Sequence, residues 1–321
     1  MDKIYEAVDK LPQEIKEIIL KINKEVFDSI EEIRLRVNMP LSINAFSKNL
    51  FVGRDGEIYN CPSDFCFVVA KSHIKECFKR CCNYSLHSFD REIKNGYVTI
   101  NGGHRVGIGG EAIYDDKLLK TIDNISSLNI RIAREIKNNA SELFSLMPTN
   151  FVGGFIIAGS PKSGKTTLLR SCAKFLSDGD SGDYKKVTIV DERCELAGMY
   201  CGEPQNSVGA CCDVLSGFKK SDGINMAVRT LSPDYIFCDE ISLEEEINAV
   251  YRGTNSGANI VTTVHAKNLE EFLKKPFTKS LLETNAFDIV VFLKENERGK
   301  IEKIVPVSEI KKSFEIGDGN K

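Results

Sequence analysis

The sequence predicts a mixed α/β chain in two parts: a smaller α+β N-terminal domain and linker over residues 1–145, then a P-loop nucleotide-binding domain with a parallel sheet over residues 146–321. Three observations carry this. Up to about residue 113, apolar and polar residues alternate between closely spaced turn signals, the pattern of antiparallel strands with one face in solvent. From about residue 150, short continuous apolar runs alternate with helical stretches, which suits a parallel sheet covered on both faces. Between the first such run and its helix lies Gly159-Ser160-Pro161-Lys162-Ser163-Gly164-Lys165-Thr166. It reads G-x-x-x-x-G-K-T in the strand–loop–helix context that a phosphate-binding loop requires.

The elements follow in order. Leu11-Pro12 opens a helix whose first turn tolerates proline, and Ile15, Ile18, Ile19, Ile22 and Val26 fall on one face of it, a core stripe. Ile33-Arg34-Leu35-Arg36-Val37 alternates as a half-exposed strand, and residues 41–45 and 51–59 continue an antiparallel meander broken by Gly53 and Asp55-Gly56. Residues 72–82 read as a helix. Asn95-Gly96 is a turn before the strand Tyr97-Val98-Thr99-Ile100, and residues 104–110 form a glycine-rich strand. Residues 124–134 alternate again, and an edge strand leading out of the domain is expected there. The polar stretch 137–140 begins the link to the second part. Its strands are expected at Phe155-Ile156-Ile157-Ala158, Val187-Thr188-Ile189-Val190, Tyr235-Ile236-Phe237-Cys238 and Ile260-Val261-Thr262-Thr263, followed by an antiparallel edge hairpin over residues 289–307. Residues 177–186 read as a surface loop and residues 317–321 as a loose tail.

Chemistry concentrates at the predicted strand ends. Residues Gly159 to Thr166, with Thr167, would cradle phosphates by converging N–H groups and the helix N-terminus. Lys165 would reach the β- and γ-phosphates of ATP, and Thr166 would hold Mg²⁺. Asp239-Glu240 ends an apolar strand in the Walker B pattern: Asp239 would support the Mg²⁺ shell through water, and Glu240 would polarise the attacking water. Asp191-Glu192-Arg193 ends a second strand, and Glu192 is expected to orient water beside Glu240. The plainer reading is a surface charge cluster. His265, after Thr262-Thr263-Val264, is a candidate γ-phosphate sensor, although a lone histidine is more often structural. Phosphoryl transfer also needs a cation opposite the developing charge, often an arginine from a neighbour. Arg105, Arg131 and Arg134 are the candidates, at least one of them expected to serve although a solvated strand face is the plainer reading of each alone, and Arg229, ahead of the Walker B strand, could contact phosphate or an acid across a subunit boundary.

Composition sets bounds. The 321 residues, 42% hydrophobic, suffice for two cores. A net charge of −3 gives no global basic field of the kind that nucleic acid or anionic lipid would attract. The charged opening Met1-Asp2-Lys3-Ile4-Tyr5-Glu6 has no apolar h-region after it, and no apolar run approaches the ~18 residues needed to cross a bilayer, so a cytosolic or membrane-peripheral protein is expected. Eleven cysteines, an odd number without an export signal, predict reduced thiols. Cys77 and Cys81 lie one helical turn apart and would suit half a zinc site, but the cluster with Cys61, Cys66 and Cys82 lacks two C-x-x-C pairs. Small buried hydrophobes is the preferred reading.

The order of Walker A, the Asp191-Glu192 box, Walker B at Asp239-Glu240 and the Thr263-Val264-His265 box resembles the AAA+/RecA-like traffic ATPases of type II and type IV secretion and pilus motors. Residues 31–41, 102–111, 126–134 and 190–195 extend a closer likeness, nearly end to end, to the stage III sporulation protein AA family. That resemblance implies a RecA-like core and an ATP- and Mg²⁺-dependent hydrolase. It further implies a homo-hexameric ring with nucleotide between the domains of adjacent subunits. It implies membrane-embedded sporulation channel proteins as partners, and a cytoplasmic place on the mother-cell side of the inner membrane. Two departures stand out: Asp239-Glu240 where secretion ATPases often carry Gly-Glu, and no long extra N-terminal modules. Two other classes stay open: a RecA-like ATPase stimulated by single-stranded nucleic acid, and a nucleotide-binding scaffold with little turnover. Against the first, the sequence has no aromatic-plus-basic tract for stacking bases and little chain beyond its last expected strand, so no nucleic-acid partner is expected.

Overall fold

Two seven-stranded sheets organise the chain, and each belongs to its own unit. The computed structural model describes residues 3–115, 118–133, 140–148 and 151–318. One unit comprises Met1–Glu135 with Gly198–Gln205, the other Ile136–Ala197 with Asn206–Lys321.

The first unit starts with three short helices, α1 (Ile4–Val8), α2 (Gln13–Leu20) and α3 (Lys24–Ser29). The apolar stripe expected on one helix is split between two, because Asn23 caps α3 by accepting the Glu25 N–H at 2.9 Å, which restarts the helix. Then come β1 (Ile30–Arg36), β2 (Ser42–Ala45), β3 (Lys48–Val52), β4 (Ile58–Tyr59), α4 (Lys71–Cys81), α5 (Asp90–Lys94), β5 (Tyr97–Ile100), β6 (His104–Asp115) and β7 (Leu118–Arg131). The strand order is β4-β3-β2-β1-β7-β6-β5. This corrects the expectation that residues 124–134 form an edge strand: β7 is internal, paired antiparallel to both β1 and β6. Alternation along a strand reports a face and not a position in the sheet. Ile33, Leu35, Leu128, Ile130 and Val106 turn to the core beneath α4 and α5, whereas Arg34, Arg36, Ser127 and Asn129 line the opposite face. Cys77, Cys81 and Cys82 are buried in the same core as small apolar groups.

The second unit contains α6 (Ala140–Leu146), β8 (Phe155–Gly159), α7 (Lys165–Ser177) and β9 (Val187–Asp191). The chain then leaves to form the hairpin β10 (Met199–Tyr200) and β11 (Glu203–Pro204), which clusters with the first unit. There Tyr200 packs on the first unit's core, Lys3 Nζ donates to Gln205 O at 2.9 Å, and Gly102 N–H donates to Gln205 Oε1 at 2.8 Å. The second unit resumes with β12 (Cys212–Ser216), α8 (Lys220–Thr230), β13 (Tyr235–Cys238), α9 (Glu244–Asn255), β14 (Asn259–His265), α10 (Leu269–Leu273), α11 (Thr278–Glu283), β15 (Ile289–Leu293), β16 (Ile301–Pro306) and α12 (Val307–Asp318). Its order is β12-β9-β13-β14-β8-β15-β16, parallel from β12 to β15, with β16 antiparallel at the edge. Every residue of β8, β9, β13 and β15 is buried, as two covered faces require. Residues 317 and 318, expected in a loose tail, continue α12. The linker positions 137–139 and Arg134 lie outside the described residues.

Candidate nucleotide site

Parallel register brings the chemistry together. Gly159 sits opposite His265, and Val190 opposite Cys238, so β8, β9, β13 and β14 deliver their following residues to one carboxyl end of the sheet. Between β8 and α7 the loop turns with Lys162 at φ +65° and Gly164 at φ +99°. A side chain at Gly164 would be strained by that φ, and its Cβ would lie 2.8 Å from the Gly299 nitrogen. Gly299 N–H donates to Ser163 O at 2.7 Å, so the β15–β16 turn braces the loop. The resulting cavity, about 300 Å³, is lined by Lys162, Lys165, Thr166, Asp239, Glu240 and His265 among others.

Lys165 is the hub of its cationic side. Its Nζ donates to Gly159 O and Ser160 O, each at 2.8 Å, and lies 2.9 Å from His265 Nδ1. On the far edge of that ring, His265 Nε2 is 3.4 Å from Glu240 Oε2. Burial lowers the Lys165 pKa to about 8 against the pull of Glu240. Burial, and then the Lys165 charge, lower that of His265. A neutral imidazole fits these neighbours, with Nδ1 accepting from Lys165 and Nε2–H facing the carboxylate.

The acids divide into two kinds. Asp191, wholly buried, accepts three backbone N–H groups: Glu195 at 2.9 Å, Leu196 at 3.1 Å and Ala197 at 2.8 Å. Burial raises its pKa against those bonds. Its carboxylate therefore serves the turn that follows β9. Asp239 instead has a buried Oδ1 with no hydrogen-bond partner. Burial raises its pKa to about 6, although the Lys220 charge 3.7 Å away lowers it. A buried carboxylate oxygen that accepts no hydrogen bond and has only the Lys220 ammonium at 3.7 Å, in the cavity that Thr166 also lines, is what a hard divalent cation or its water shell would satisfy, so these residues fit Mg²⁺. Among the described residues no group of three or more acidic, His or Cys side chains gathers as a metal cage.

The other sequence candidates fall elsewhere. Glu192 is 3.8 Å from Lys220 Nζ and does not line the cavity, whereas Arg193 and Glu195 from the same turn do. Arg229 is exposed on α8. Arg105 and Arg131 are cross-strand partners on the first unit's sheet: Arg105 stacks 3.5 Å over Tyr97, and Arg131 lies 3.6 Å from Glu32. Sequence reasoning missed Lys220 and Arg298. Arg298, on the β15–β16 turn, lines the cavity, and the only signal was a charged turn after a strand.

The family profile described as "Sporulation stage III, protein AA" matches residues 1–310. Stage III sporulation protein AA of Bacillus subtilis (strain 168) is 34% identical over 284 residues, 88% of each chain. The fold is similar to that of the pilus retraction motor PilT with bound ADP, with a TM-score of 0.57 at 14% identity over 91% of this chain and 87% of that one. It is also similar to the Legionella pneumophila ATPase DotB, with a TM-score of 0.53 at 13% identity over 92% of this chain and 76% of that one.

Proposed function

The chain belongs to the sporulation stage III, protein AA family, and from that premise we propose that it is an ATP-hydrolysing ring motor, with a RecA-like P-loop core, powering a transport complex between mother cell and forespore. The observation that carries this is the meeting of Lys165, Thr166, Asp239, Glu240 and His265 in one cavity at the carboxyl end of a parallel sheet. Among the described residues no helix is long and apolar enough to cross a membrane, which suits a motor docked on membrane-embedded partners.

Each residue has a task in this reading. Backbone N–H groups of the 160–164 loop and the start of α7 bind phosphate oxygens. Lys165 exchanges its bonds to Gly159 O and Ser160 O for the β- and γ-phosphates. Thr166 and Asp239 would hold Mg²⁺, the latter through water, and the ion would supply charge neutralisation at the phosphates. Glu240, only partly buried, orients a water and takes its proton. His265 carries the position of Lys165 to Glu240 through its two ring nitrogens. Arg105, Arg131 or Arg134 of a neighbouring subunit supplies the cation that the transferring phosphoryl group needs. The test of the ring is the mass of the Glu240→Gln form by light scattering with ATP and Mg²⁺. A mass near six copies is expected, and one copy with and without nucleotide would remove the isolated ring.

A further inference from the structure

We propose that Lys220 is a positioning residue that sets the direction of Glu240 and the spacing of the acids around it, an inference that rests on the proposed hydrolase and deepens it. Lys220 opens α8, yet its side chain is 8% exposed. A lysine at a helix start opposes the helix dipole, and a buried one also loses its hydration. Local rules broken this way, with compensation from tertiary partners, mark functional positions.

The compensation is specific. Nζ donates to the main-chain oxygen of Glu240 at 2.5 Å and lies 3.0 Å from Glu246 Oε1, 3.7 Å from Asp239 Oδ1 and 3.8 Å from Glu192 Oε2. Three carboxylates, from the ends of β9 and β13 and from α9, thus surround one ammonium. Parallel register forces two of those strand ends together, and without a cation between them the acids would repel at low dielectric. The bond to Glu240 O fixes the peptide that follows Glu240. Glu246, held by Lys220 through one oxygen, uses the other to accept Ser242 N–H at 2.9 Å and Leu243 N–H at 3.0 Å. One carbonyl and two amides of the 239–243 turn are therefore tied to this pair, and Glu240 leaves that turn toward the cavity. Lys220 does not line the cavity and acts only through these groups.

The test uses the Lys220→Met/Glu246→Gln double variant of the whole chain. Lys220→Met alone strands a buried Glu246 charge and risks misfolding, whereas Glu246→Gln removes that charge and keeps an oxygen for the Ser242 and Leu243 amides. Two readings are taken: kcat and KM for ATP with Mg²⁺, and amide hydrogen exchange of residues 239–243 without nucleotide. The expected result is kcat lower by about tenfold or more with KM within about threefold, as misorientation of one group predicts. Exchange in the turn should be faster by about tenfold while β8 and β13 stay protected. Wild-type kcat together with wild-type exchange would overturn the proposal and leave Lys220 a charge balance for Glu246. If the unaltered chain releases no phosphate, the hydrolase reading fails by itself, and exchange alone still decides: an unchanged rate in the turn overturns the positioning role.

Discussion

The ends of β9 and β13 read almost alike, Ile189-Val190-Asp191-Glu192 beside Phe237-Cys238-Asp239-Glu240, and the two strands pair in register. Their aspartates have opposite fates. Asp191 spends both oxygens on three backbone N–H groups, whereas Asp239 keeps a buried oxygen without a hydrogen bond and faces a cavity. The contrast teaches that an acid after a buried strand is tied to its own turn or left facing a cavity according to the chain that follows it. After Asp191 the backbone folds back and presents its amides. After Asp239 it runs on to Ser242 and Leu243, whose amides are claimed by Glu246.

Four perturbations probe that contrast. The largest effect should be Asp191→Ala, which leaves two buried amides and one half-buried amide unbonded. A loss of about 3 kcal/mol or more is expected, lowering the melting temperature by roughly 6 °C or more, and unchanged melting would break the scaffold reading. Next, Lys165→Ala removes the ammonium that lines the cavity beside His265 and should weaken ATP affinity by about a hundredfold in equilibrium binding, about 3 kcal/mol. Wild-type affinity would place phosphate elsewhere.

The third extends the scaffold class to the first unit. His104, fully buried, has Nδ1 accepting from Ala133 N–H at 2.9 Å and Nε2 donating to Lys3 O at 2.8 Å. Burial lowers its pKa from 6.5 to about 4, so the unfolded chain binds the proton first as pH falls. Its contribution is whole above about pH 6.5 and is lost toward pH 4. Denaturant unfolding should show about 2 kcal/mol less stability at pH 5 than at pH 7 from this residue, and His104→Gln should lack that part. The smallest is Asp239→Asn. With the charge of Asp239, which accepts no hydrogen bond at Oδ1, gone and Lys220 still paired to Glu246, stability should change by less than about 1 kcal/mol while Mg²⁺ ceases to tighten nucleotide binding. A large destabilisation would make Asp239 scaffold like its neighbour.

Much of this was legible in sequence where the signal is local. The P-loop spacing, the apolar runs of β8, β9, β13 and β14 and the helix α4 depend on residues close in the chain. What was missed depends on pairing. β12, Cys212-Asp213-Val214-Leu215-Ser216, carries an aspartate on an edge and offers no long apolar run. The interior place of β7 is set by partners on both sides that its own alternation does not name. Nothing in residues 198–205 marks them as belonging to the first unit. Lys220, in Lys219-Lys220-Ser221-Asp222, reads as a solvated helix start, and only the folded sheet with α9 shows the three acids around it.

The central claim, that the end of β13 performs chemistry, is tested most directly by phosphate release from ATP by the unaltered chain and by Glu240→Gln, each with and without Mg²⁺. The account predicts Mg²⁺-dependent release from the unaltered chain, and a loss of about a hundredfold or more in Glu240→Gln with ATP still bound. Equal release from both would contradict it, and so would no release from the unaltered chain.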